Sequence, residues 1–109
     1  MTDLSLSDRV EKHVRDFYQL PVEKVAVMLP TFFAVLKNHL NDLEKVLEGG
    51  DPIGIGRVGH TLKGALLNLG LAEIAEIAAS IEREGKSGGE NFDFTEAVSR
   101  LKVELKEIL

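Results

Sequence analysis

The chain has 109 residues, 44% of them apolar, and no cysteine. That composition fits one globular domain with a real core and excludes disulfides, thiolate catalysis and cysteine-bound zinc. A formal net charge of -5 argues against a nucleic-acid binder or an anionic membrane surface as partner, since either would require a basic stripe.

Met1 to Asp8 shows no basic region followed by an apolar run, and no apolar stretch reaches the length of a membrane span. The expectation is a single cytoplasmic domain over residues 1–109. Helix signals dominate it. Ser7 is the expected cap of a short first helix, about residues 8–19, with Val10, Val14 and Phe17 on one face. Leu20-Pro21 should end that helix, because a residue before proline avoids the helical region.

The second segment, Val22 to about Glu48, carries Val22, Val25, Leu29, Phe32, Leu36, Leu40, Leu43 and Leu47 in steps of three and four, which is the helical period. Pro30 lies inside this run. The apolar phase continues across it, which predicts one kinked helix rather than two. Gly49-Gly50 supplies the stop. Asp51-Pro52 then opens a third helix, with aspartate as N-cap and proline in the first turn, and Gly70 is placed to close it in a left-handed conformation.

A fourth helix carries Leu71, Ile74, Ile77, Ala78 and Ile81 and should stop near Gly85. Residues 85–91 (GKSGGEN) read as a flexible loop. Asp93-Phe94-Thr95-Glu96 resembles a capping box for a last helix, with Phe94, Val98, Leu101, Leu105 and Ile108 inward. No strand alternation is present. The predicted fold is all-α: an antiparallel up-down four-helix bundle over about 22–109, plus the short N-terminal helix.

The third helix departs from a plain structural pattern. On a helical wheel Ile55, Val58, Leu62, Ala65, Leu66 and Leu69 form the core stripe, and His60 falls nearly opposite it. Gly56 and Gly64 stand one turn before and one turn after His60, and Arg57, Lys63 and Leu67 share the outward half. Each glycine inside a helix costs ~0.5–1 kcal/mol relative to alanine, so Gly54, Gly56, Gly59 and Gly64 are an expensive choice for an ordinary helix. Small neighbours leave the imidazole clear for close approach by another macromolecule. A neutral imidazole is a competent nucleophile toward a phosphoryl group. Lys63, at i+3, is positioned to stabilise the oxygens of such a group, and Arg57, at i−3, is a weaker candidate. Leu67 adds an apolar contact beside the site.

At these residues the chain resembles the histidine-containing phosphotransfer (HPt) family. The run His60-Thr61-Leu62-Lys63-Gly64, followed by Asn68-Leu69-Gly70, is similar to the family signature His-x-Leu-Lys-Gly with a closing glycine. The Gly49-Gly50-Asp51 turn, Pro30 in the preceding helix and the Leu-x-x-Ile run after Gly70 extend the resemblance over about Val22 to Leu109. Ala65 stands where serine is frequent, and Gly59 where alanine is usual.

The resemblance implies that His60 is the phosphoacceptor, that Lys63 assists the phosphate, and that Gly56, Arg57, Gly64 and Leu67 form the docking surface. It implies response-regulator receiver domains and a sensor histidine kinase, hybrid or not, as partners. The Mg2+ ion would sit on the receiver, with no cofactor or metal on this chain, which would act as a phosphocarrier rather than an independent enzyme. It would be a monomer.

Other readings stay open at this point. A histidine-kinase dimerisation helix pair would usually place an acidic residue after the histidine and a proline a few residues on. Here Thr61 follows, and no proline lies between Asn68 and Leu109. The phosphoacceptor domain of a chemotaxis-type kinase, or a helical docking module without chemistry, would share much of the pattern. His13 and His39 read as edge-of-stripe histidines with no partner at metal-ligand spacing, and Phe32-Phe33 as core and groove wall.

Overall fold

A computed structural model of the chain describes residues 5–109. The expectation about a secretory signal, which covers Met1 to Asp8, therefore lies partly outside the described residues. Five helices follow one another: α1 Leu6–Tyr18, α2 Val22–Gly49, α3 Pro52–Asn68, α4 Ala72–Lys86 and α5 Phe94–Glu104. There is no strand among the described residues.

The helix ends follow local chemistry. Ser5, not Ser7, caps α1: its backbone is extended and its hydroxyl accepts from the N–H of Asp8 at 3.1 Å. The earlier start brings Leu6 into the core. Its N–H donates to Oε1 of Glu107 at 2.9 Å, which ties the start of α1 to the end of the chain. Gln19, in the left-handed region, ends α1. Pro30 lies within a single α2, as the continuous apolar phase requires, and Gly50 closes that helix at φ 73° with its N–H on the carbonyls of Val46 and Leu47. Asp51 caps α3 by accepting from Ile53 N, with Pro52 in the first turn. Gly70 takes φ 78° just beyond its end. Asp93 accepts from Glu96 N at 2.9 Å and caps α5.

Three expectations of burial or extent are corrected. Phe17 is 70% exposed; only Val10 and Val14 of that set point inward, and the Phe17 ring stacks on His13 instead. Val22 is also exposed, because α2 meets the core from Val25 onward. The last helix stops at Glu104, and residues 105–108 continue as turns, although Leu105 is fully buried.

α2, α3, α4 and α5 touch one another round a closed ring, with the most extensive packing between α3 and α4, and α1 packs on α2. The core fills that ring with Leu36 and Leu43 from α2, Leu62 and Leu66 from α3, Ile81 from α4 and Leu101 from α5, all fully buried. α1 and α2 meet at 119°, and no single helix among the described residues is long and apolar enough to cross a membrane.

Candidate functional site

α3 packs on α4 through small residues. A methyl group at Gly59 would lie 3.0 Å from Ile81 Cγ2 and 3.1 Å from the backbone nitrogen of Glu82. One at Gly56 would lie 3.1 Å from the Glu82 carbonyl and 3.2 Å from Gly85 Cα, and one on Gly85 only 2.6 Å from Gly56 Cα. These glycines let two helix backbones come together, because no side chain on either could be accommodated between them. Gly56 is therefore not part of an open docking surface. It lies one turn from His60, but about 40° round the helix toward α4, and it is buried.

Gly64 is the contrary case, since a methyl there would meet nothing within 4 Å. His60, between the two, is 64% exposed at its side chain, as its place away from the core stripe predicts. Arg57 and Leu67 are exposed on the same helix, and Val58 and Ala65 are half-buried at the edges of the stripe. Past Gly64 a shallow apolar groove opens between Tyr18, Phe32, Val35, Ala65 and Leu69. Phe32 is thus a groove wall, and both Phe32 and Phe33 pack against the core.

The close approach of the helices brings a residue of α4 to His60 that the motif does not contain. Glu82, only 9% exposed at its side chain, accepts from three nitrogens. His60 Nδ1 lies 2.5 Å from its Oε2, Lys63 Nζ 2.6 Å from its Oε1, and Lys86 Nζ 3.2 Å from Oε2. The carboxyl is held well below its ordinary value of 4.5, at about 2. The hydrogen bond from Lys63 is the largest cause. Burial opposes it, and Lys86 and His60 add to it.

At neutral pH Glu82 is therefore an ionised carboxylate, and it can only accept hydrogen bonds. His60 Nδ1 must be the donor. In its neutral form the imidazole is thereby fixed with its proton on Nδ1 and its lone pair on Nε2, which is directed away from the carboxylate. Lys63 lies on the α4 side with its ammonium engaged by Glu82 and its side chain only 30% exposed. The expectation that it reaches from α3 toward a phosphoryl group does not describe its position here, since its first partner is the carboxylate that orients the histidine.

Sequence reasoning missed Glu82, although a signal was present. Ala75, Ala78, Glu82 and Gly85 follow one another at steps of three and four and lie on the buried stripe of α4. A lone acid in a stripe of small residues requires a partner across the interface. α4 ends at Lys86, next to Gly85 as expected, but Gly85 also forms the contact with Gly56, which the sequence does not signal.

His13 stacks on Phe17 with ring centroids 5.6 Å apart and lies over Gly70; His39 is half-buried on α2. Neither joins the His60 cluster. Among the described residues no group of three or more His, Asp or Glu side chains is placed to hold a metal ion.

Comparison with known proteins gives one family match: a model described as Hpt domain covers residues 27–109. No curated protein and no solved structure gives a significant match. The family match begins inside α2, so α1 stands outside it.

Proposed function

Because this chain belongs to the Hpt domain family, whose members carry phosphoryl groups on histidine in phosphorelays, we propose that Nε2 of His60 is the atom that accepts the group from a receiver-domain aspartate and passes it to another receiver. The observation that carries this reading is the hydrogen bond from His60 Nδ1 to an ionised, buried carboxylate, with the rest of the ring in solvent.

The chemistry follows from that tautomer. The Nε2 lone pair attacks the phosphorus of the aspartyl phosphate in line. The bond between phosphorus and the acyl oxygen breaks, and its electron pair leaves with the aspartate as a carboxylate. No proton has to leave Nε2, because the ring held its only N–H on Nδ1 throughout. The phosphorylated ring carries a positive charge, and Glu82 faces the side on which that charge is shared. Return to a second receiver is the same step reversed. Mg2+ would belong to the receiver and would supply charge neutralisation for the phosphoryl oxygens there.

Arg57, Gly64 and Leu67 form the surface over which the partner approaches, with Gly64 leaving room beside the ring. The ring of contacts among α2, α3, α4 and α5 supports an antiparallel up-down bundle complete in one chain. It also supports a monomeric carrier over a kinase helix pair, which would complete its bundle with a second copy. A sizing column checks this: elution as a dimer at micromolar concentration would favour the kinase reading.

The decisive experiment incubates the chain with a phosphorylated receiver domain and seeks an acid-labile, alkali-stable phosphate. Label on the wild type that vanishes in His60→Gln is the expected result. A folded wild type that takes no label from a panel of receivers, or label that survives in His60→Gln, overturns the assignment.

A further inference from the structure

The two lysines on Glu82 are not equivalent. Lys63 comes from α3, makes the shorter bond to Oε1 and is mostly covered. Lys86 comes from α4, one turn after Glu82, makes the longer bond to Oε2 and is 70% exposed. Lys86 shares its oxygen with His60 Nδ1, so its ammonium sits beside the imidazole. It lines an open depression with Lys63, Ala79, Glu82 and Arg83, and its flexible stem is free to swing there.

We propose that Lys86 is the cation that holds the phosphoryl group on His60: it leaves Glu82 for the phosphoryl oxygens once the group arrives, while Lys63 stays on the carboxylate. This rests on His60 being the phosphoacceptor. No bond to phosphorus is made or broken in the step, and only the hydrogen bond of one ammonium moves.

Two changes on phosphorylation drive it in the same direction. The ring becomes positive and binds Oε2 more strongly, which displaces the weaker of the two donors on that oxygen. The phosphoryl group brings two negative charges within reach of the displaced ammonium. Lys86 is itself exposed and holds Glu82 by one long bond to an oxygen that it shares with His60, so less opposes its release than opposes that of Lys63. Lys63 has no such competitor on Oε1, and its removal would leave a buried carboxylate short of its principal partner.

The test uses the full chain loaded with phosphoramidate, a small phosphodonor that needs no partner domain, and compares wild type, Lys86→Gln, Lys86→Arg and the remote control Lys106→Gln. The 31P resonance of the phosphohistidine is titrated with pH. A cation on the phosphoryl oxygens lowers the midpoint of that titration, and a merely structural lysine does not.

Lys86→Gln should raise the midpoint by about 0.3–0.7 pH unit. It should also reduce the phosphorylated share at equilibrium with a phosphorylated receiver about two- to fivefold. Lys86→Arg should restore both, and Lys106→Gln should change neither. A labelled Lys86→Gln protein with wild-type midpoint and equilibrium overturns the role of Lys86 while leaving His60 as acceptor. So does an arginine variant that behaves like the glutamine one. A wild type that takes no label from phosphoramidate or from any receiver overturns the acceptor assignment itself, and this proposal with it.

Discussion

Two neighbouring sides of α3 use glycine for different ends. Toward α4, methyl groups at Gly56 and Gly59 would run into the backbone of α4 and into Ile81 at 3.0–3.3 Å. One turn beyond His60, a methyl at Gly64 would touch nothing. The first side is a packing device, which sets how near Glu82 comes to the imidazole. The second is vacant space that only a partner molecule would occupy. The same residue type, a few positions apart, thus meets packed backbone in one place and open space in the other, and substitution separates the two.

The largest difference is expected at the reactive ring. His60→Gln should abolish labelling, a drop of at least about a hundredfold, and cost no more than about 1.5 kcal/mol of stability, the worth of one hydrogen bond to Glu82; urea denaturation beside the labelling assay shows whether the two effects separate. Glu82→Ala should keep the label on His60 but slow transfer by about tenfold to a hundredfold, the usual cost of removing the carboxylate that orients a histidine. Transfer at the wild-type rate would mean that the ring needs no orienting partner.

Substitution on the packed side should act on stability first. Gly59→Ala should cost about 1–3 kcal/mol, as overpacking does, because a methyl there meets backbone as well as the Ile81 side chain; an unchanged urea midpoint would refute the close-packing account. On the open side the sign reverses. Gly64→Ala should gain about 0.5–1 kcal/mol from helix propensity while slowing transfer from a receiver. Transfer unaffected by the extra methyl would remove Gly64 from the docking surface.

The smallest effect is the response to acid. The folded-state value for Glu82, about 2, lies below the ordinary 4.5, so its contribution is fully present above about pH 4.5 and is lost as pH falls toward 2. Glu82→Gln should flatten that part of the stability profile. Asp16, lowered chiefly by its hydrogen bond to Lys12, and Glu73, lowered by its own backbone N–H and then by Arg9, slope the same way, but both are exposed and screened.

Much of this was legible in the sequence, for identifiable reasons. Asp51-Pro52, Gly49-Gly50 and Gly70 are local signals whose chemistry acts within a few residues, and each marks a helix end where expected. The exposure of His60 follows from helical periodicity alone. The misses concern relations between elements. Gly56 and His60 look alike on a wheel of α3, and only the position of α4 tells them apart. Glu82 carries no motif, and its meaning depends on which helix its stripe faces. Phe17 matched the inward spacing of α1, but that helix is short and turns at Gln19, so the core ends before reaching it.

The hydrogen bond between His60 and Glu82 spans two helices whose spacing is set by backbone against backbone at Gly56 and Gly85. A modest repacking of the interior, invisible from outside, would lengthen or break that bond while every surface residue stayed the same. If His60 is the acceptor proposed above, reactivity and partner recognition have separate genetic handles in this domain. Lineages could adjust how fast the group moves without altering who receives it.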